Sequence, residues 1–431
     1  MEGIKRRILY RDFEYERLFC DFGTVIGKYG CASCDKEALA ELYYGCMHEL
    51  TELASKCGFT GNLWQKFLTF LLVSHENAYS RSCEMKKGAK GTLYEMAKCD
   101  AAVFLELFHF DFHRIEPALG VFGADMIMNF QGTGESEVFG TRIRDRIGKL
   151  SRELHAAEDA GSFLLAVTAF YQEFGVGTLG LHKAFRVEHT DRQAAIVPIS
   201  NIAHVNLSDL TGYEIAKKKL TDNTEAFVCG RKANNCLLYG DAGTGKSTSI
   251  KAIANRYYDR GLRLIELYKH QFQDLHEVIA RIKNRGYKFI IYMDDLSFED
   301  FEIEYKYLKA VIEGGLEKKP DNILIYATSN RRHLIREKFS DKAQLSDDLH
   351  NNDTVQEKLS LAARFGVQIY FGAPDKKQFG EIVKSLAKKH QIQMGEEELL
   401  SEANKWELGH GGRSGRTAQQ FIDYLLGNGG H

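Results

Sequence analysis

The residues Gly240-Asp241-Ala242-Gly243-Thr244-Gly245-Lys246-Ser247, followed by Thr248, carry the densest chemistry in this chain. Their spacing, G-x-x-x-x-G-K-S, makes a loop whose backbone N–H groups fold around a phosphate chain. An apolar run at 236–239 precedes the loop and a helical stretch at 247–257 follows it. The helix N-terminus adds partial positive charge where the phosphates sit. Lys246 is expected to reach the β- and γ-phosphates, and Ser247 to offer its hydroxyl to Mg²⁺. A second apolar run, 289–293, ends in Asp294-Asp295, with Asp294 48 residues after Lys246. Asp294 is expected to hold Mg²⁺ and Asp295 to act as general base toward an attacking water. A further run, 323–327, leads into Asn330, a candidate to orient that water or the γ-phosphate. Each feature alone has a bland reading, such as a Gly-rich turn or a strand that ends in polar residues. Their order and spacing favour nucleotide chemistry.

Such residues need a sheet to align them. Five short apolar runs, at 236–239, 262–267, 289–293, 323–327 and 367–371, alternate with amphipathic helical stretches. Alternation of this kind predicts an α/β fold with a five-stranded parallel sheet and right-handed crossovers. The ligand then lies at the C-terminal edge of the strands. Beyond Pro374 the pattern is helical again. The first 200 residues also read as mainly helical: Leu63, Trp64, Phe67, Leu68, Leu71 and Leu72 recur at helical spacing. Phe163, Leu164, Val167, Phe170, Tyr171 and Phe174 do the same. A short apolar run around 194–199 reads as a strand or a connector. The expected organisation is 1–200 helical, 201–373 nucleotide-binding α/β, and 374–431 a helical lid.

Composition narrows the function classes. Over 431 residues, 44% are apolar and 27% charged, which excludes disorder as the main state. Residues 1–200 hold 23 basic and 27 acidic groups, leaving 34 and 32 for the rest. Neither half carries the basic footprint of a nucleic-acid binder. No apolar stretch approaches the roughly 20 residues of a membrane span. The nine cysteines are irregularly spaced and the N-terminus lacks a signal peptide's apolar core, so a reduced, cytoplasmic setting is expected.

Together these motifs resemble the AAA+ ATPases across about 207–426. The loop is similar to Walker A, Asp294-Asp295 to Walker B, and Asn330 to the first sensor. Leu207-Ser-Asp-Leu-Thr-Gly212-Tyr213 is similar to the box that lines the adenine pocket. Leu359-Ser-Leu-Ala-Ala-Arg364 resembles the arginine-finger segment. Gly412-Arg413-Ser-Gly-Arg416 resembles the second sensor, with Arg416 the favoured arginine and Arg413 its rival. The blocks at 234–241, 294–299, 313–316 and 326–334 further resemble a bacterial single-module AAA+ family, known as an ATP-binding domain of unknown function. The Asp-Asp ending is similar to the replication-initiator and helicase-loader branch. Many other AAA+ proteins have Asp-Glu there, and the departure bears on hydrolysis rate.

The resemblance implies ATP and Mg²⁺ as ligands, and a ring or filament in which Arg364 reaches a neighbour's nucleotide. It implies that Arg416 couples the lid to the bound nucleotide. The expected role is ATP hydrolysis coupled to remodelling or loading of a protein or nucleoprotein partner, recognised by the helical N-terminal region. One alternative is a nucleotide-gated binding module with little turnover. Another, a small-molecule kinase, lacks a recognisable acceptor pocket. Among weaker signals, Cys31-Ala-Ser-Cys34 lacks the second pair a zinc site needs and the βαβ context of a thioredoxin site, and is expected to be ordinary buried thiols. Arg331-Arg332-His333 reads as a solvated turn, and Lys86, Lys87 and Lys90 as a solvated loop.

Overall fold

The computed structural model describes residues 3–85, 90–132, 134–190, 193–199, 202, 205–298, 304–313, 320–330, 334 and 361–428. Arg331, Arg332, His333, Lys86, Lys87, Leu359 and Ser360 lie outside the described residues. The chain divides into two compact units, at Met1–His182 and Lys183–His431.

The first unit is helical. Its longer helices are Glu16–Lys28, Lys36–Cys57, Leu63–Ser74, Thr92–Phe108, Thr141–His155 and Ala160–Glu173. The apolar stripes at 63–72 and 163–171 do form helices, each started by a side-chain cap, Asn62 and Asp159. Both stripes turn inward, and the core is rich in aromatics, with Phe19, Phe22, Trp64, Phe67 and Phe104 fully buried. Two buried polar groups tie the unit together. The Trp64 indole donates to the Leu107 carbonyl at 2.8 Å. The buried Asp100 carboxylate accepts from the backbone N–H groups of Ile8, Leu9 and Tyr10 at 2.7, 2.7 and 3.0 Å, which ties the N-terminal segment to the helix Thr92–Phe108. Cys31 and Cys34 depart from expectation. They are free thiols, but Cys31 is exposed, and Cys34 only partly covered against the edge of the core, because their turn lies between two helices.

The second unit is built on a mostly parallel sheet of seven strands, not five. These are β1 (Ala184–Thr190), β2 (Gln193–Pro198), β3 (Cys236–Gly240), β4 (Leu262–Glu266), β5 (Lys288–Met293), β6 (Ile323–Ser329) and β7 (Val367–Phe371). Their order is β2-β1-β4-β5-β6-β3-β7. The five expected runs are β3 to β7, all parallel to their neighbours. The two additional strands form an antiparallel hairpin whose first strand pairs in parallel with β4. Residues 184–198 therefore extend the α/β sheet and do not belong to the helical region, since their backbone groups pair with each other and with β4. Strands β5 and β6 are near-continuously buried, as expected when helices cover both faces.

Three helices end the unit: Lys376–Lys389, Glu396–Gly409 and Gly415–Gly427. Phe379, Val383, Leu399, Ala403, Phe421 and Ile422 give them a core of their own. Asp375 and Ser414 cap the first and third by accepting from Gln378 and Thr417 N–H groups. Among the described residues no helix is long and apolar enough to cross a membrane.

Candidate functional site

Strand β3 ends at Gly240, and the helix Lys246–Tyr257 begins six residues later. The loop between them depends on two glycines in particular. Gly240 has φ +132°, and a Cβ there would stand 2.1 Å from the Phe371 carbonyl oxygen of β7. Gly243 has φ +74° and lies against Ser414 and Arg416 of the lid. Any larger residue would push β7 or the lid away.

Lys246 is buried, and its ammonium donates to the Gly240 and Asp241 carbonyls at 2.8 and 2.7 Å and to Asn330 Oδ1 at 2.9 Å. Burial lowers its pKa, partly offset by the carboxylates of Asp241, Asp295 and Asp294. Ser247 donates to Asp294 Oδ1 at 2.7 Å. Asp294 leaves the end of β5. Burial alone would raise its carboxyl, but the hydrogen bonds from Thr328 and Ser247, with the Tyr292 hydroxyl close by, outweigh that and hold it below the usual carboxylate range. Asp295 takes a left-handed backbone, φ +49°, uncommon for a residue with a side chain. Its carboxylate accepts from Asn330 Nδ2 at 2.8 Å.

Thr328 joins these groups. Its hydroxyl donates to Asp294 Oδ1 at 2.5 Å and accepts from the Asp295 N–H at 2.9 Å. The β5–β6 register pairs Met293 with Ala327, so the next residues on each strand meet. Sequence reasoning did not assign Thr328 a role.

These side chains face a cavity of about 750 Å³. Residues 242–248 form its floor, with Asp294, Asp295, Thr328 and Asn330 at the strand edges. Val205, Leu210 and Tyr213 line one side. Tyr213 packs on Phe371, with ring centroids 5.3 Å apart, and donates to the Gly372 carbonyl at 2.9 Å. The lid supplies Ile382, Leu386, Lys389, Arg416, Gln419 and Gln420, of which only Arg416 was anticipated. Lid apolar positions look like ordinary helix core in sequence, so they gave no signal.

The other expected residues fall at or outside the rim. Asp241 accepts from the Ala373 N–H at 2.7 Å and braces the loop against the segment after β7. Gly212 precedes Tyr213 in a positive-φ turn and is not among the lining residues. Arg413 pairs with the buried Glu407 at 2.9 Å, whereas Arg416 faces the cavity, its N–H donating to Gly243. Arg364 is half-buried shortly before β7 and does not line this cavity.

With β3 between β6 and β7, a phosphate-loop geometry at its end, and a helical lid over that loop, the second unit has the P-loop fold of the AAA+ ATPase class. Residues 180–429 match the family described as "Protein of unknown function (DUF815)", and the chain belongs to that family. Among solved structures, the RuvB Holliday junction branch migration motor of Thermotoga maritima is similar at TM-score 0.34 and 15% identity, over 51% of this chain and 72% of that one. The FIGL-1 AAA domain in complex with ADP is similar at TM-score 0.37 and 16% identity, over 52% and 74%. No curated protein matches the chain.

Proposed function

We propose that this protein binds ATP with Mg²⁺ and hydrolyses it, as an assembly, to remodel or load a protein or nucleoprotein partner. One observation carries the reading: a continuous hydrogen-bonded chain from Lys246 through Asn330, Asp295, Thr328 and Asp294 to Ser247, all facing one cavity. Three separate stretches of sequence contribute to it. A purely structural network at a strand edge has no need of a lysine, two carboxylates and a glycine loop together.

The residues fit the ligands. The positive-φ glycines let the loop lie tight against β7 and the lid, where a Cβ would clash, and residues 242–248 line the cavity. Ser247 and Asp294 offer oxygen donors of the kind a hard divalent cation takes. Mg²⁺, when bound there, supplies charge neutralisation to the phosphate oxygens. On this reading Lys246 exchanges its carbonyl and Asn330 contacts for phosphate. Asp295 accepts the proton of the attacking water, and Asn330 orients it. Tyr213 and the apolar lid residues sandwich the base. Arg416 reaches the nucleotide from the lid. Arg364, outside this cavity, acts on a neighbouring copy's nucleotide, a head-to-tail contact. An arginine in that role is worth about 10³–10⁵ in rate. The helical unit, Met1–His182, is assigned partner recognition.

The test is phosphate release against protein concentration. Lys246→Ala is expected to abolish nucleotide binding. Asp295→Asn is expected to bind ATP but lose about 10²–10⁴ in turnover, the usual worth of a general base. A second reading, a nucleotide-gated binding module, draws on the short Asp295 and its carboxylate's bond to Asn330. Tight ATP binding with negligible turnover at every concentration, in wild type and Asp295→Asn alike, favours that module.

A further inference from the structure

Cys31-Ala-Ser-Cys34 links the helix Glu16–Lys28 to the helix Lys36–Cys57. The link is tight. The Cys31 N–H donates to the Lys28 carbonyl at 2.9 Å, and the Cys34 N–H to the Cys31 carbonyl at 3.4 Å. A four-residue turn keeps its end Cα atoms within ~7 Å, and a disulfide spans roughly 4.4–6.8 Å. The backbone already holds the two residues at bridging separation.

The side chains differ in a useful way. Cys31 is exposed and Cys34 partly so, and both are free. Cys31 Sγ lies 3.3 Å from the Ser33 hydroxyl. Hydrogen bonds from Ser33 and then Cys34 draw the Cys31 thiol down to about 7. The same contact with Cys31 moves the Cys34 thiol up. The turn thus holds a solvent-facing thiol with thiolate character and a protonated one beside it. Cys46 and Cys57, in the following helix, are buried, and burial pushes both up to about 12. A metal is a poor occupant for the turn. Two thiolates are half a structural zinc site, and among the described residues no group of three or more His, Cys, Asp or Glu could hold an ion.

We propose that Cys31 and Cys34 form a redox-active dithiol site that reacts with small-molecule disulfides. The Cys31 thiolate attacks one sulfur of a disulfide RSSR. The bond from Cys31 Sγ to that sulfur forms as the RS–SR bond breaks, and the other half leaves as RS⁻ and takes a proton from solvent. Cys34 then gives its proton to solvent and attacks the Cys31 sulfur. The Cys31–Cys34 bond forms and the second RS⁻ leaves, again protonated by solvent. Two protein thiols are oxidised, and one RSSR is reduced to two RSH.

The test treats the full chain with glutathione disulfide, quenches with iodoacetamide, and reads denatured mass and the peptide spanning 29–36. Wild type is expected to lose two hydrogens in that peptide, to resist alkylation at both positions, and to be restored by reduced glutathione. Cys34→Ser is expected to stop at a glutathione adduct on Cys31. Cys31→Ser is expected to leave Cys34 unmodified on the same timescale. Iodoacetamide should modify Cys31 at pH 7 about threefold faster than cysteine in an unstructured peptide, since the larger thiolate fraction outweighs the lower nucleophilicity. Three results overturn the proposal: both thiols staying alkylatable in wild type, an adduct on Cys31 that never closes in wild type, or closure only between two chains.

Discussion

Thr328 is a small side chain with a large geometric role, since one hydroxyl spans both carboxylate residues of the site. Removing it frees the Asp295 backbone from its left-handed turn. Thr328→Val is therefore expected to cut kcat by about tenfold to a hundredfold with little change in KM, because a misplaced catalytic group is costly. Thr328→Ser keeps the hydroxyl and should recover most of the rate in the same steady-state assay. Asp294 gives a pH-dependent expectation. Its folded pKa is depressed, so its contribution to stability is full above the ordinary value of about 3.9 and lost as pH falls through the folded value. The stability gap between wild type and Asp294→Asn, read by denaturant unfolding, should narrow as the pH drops below about 4. Lys246, Ser247, Asp294, Asp295 and Asn330 were legible because each belongs to a local pattern, a loop spacing or a strand ending in polar residues. Thr328 was not, because its partners appear only once β5 and β6 lie in register. Cys31 was misjudged for a related reason: a thiol's exposure depends on where two helices end, and spacing alone does not give that.

At the scale of elements, apolar runs revealed the strands that helices bury on both faces. The β1–β2 hairpin was harder. Phe185 and Val187 are buried while Arg186 and Glu188 alternate with them, a pattern with period two and not a continuous run. It lies directly after a long helical stretch, and only its second half, around 194–199, stands out, as a strand or a connector. The lid helices were recognisable as helices, but which of their residues face nucleotide follows from docking against the loop. In the helical unit, the N-terminal segment is held by carboxylates as well as by packing: Glu16 pairs with Arg7, and Asp100 accepts three backbone N–H groups. Asp100→Ala leaves the N–H groups of Ile8, Leu9 and Tyr10 without that acceptor. The expected cost is about 2–4 kcal/mol of unfolding free energy, measured by urea titration with the change read in Cm.

At the scale of the whole molecule, the proposed finger in trans makes a mixing experiment decisive. Arg364→Ala keeps an intact loop, and Lys246→Ala keeps an intact finger. Each alone is expected to be inactive, yet an equal mixture should recover activity. With random head-to-tail neighbours, about a quarter of contacts join a complete loop to a complete finger. Recovery near that fraction of wild-type phosphate release is the expected result, and no recovery at any concentration counts against trans action. The β1–β2 hairpin carries a practical corollary for anyone dissecting the chain. A truncation starting at residue 201 would strip Ala184, Phe185 and Arg186 from their pairing with Leu264, Ile265 and Glu266. It would uncover a raw sheet margin, ready to recruit another molecule's strand. Such a fragment should precipitate on expression, whereas one starting at Lys183 brings its own hem and should stay in solution.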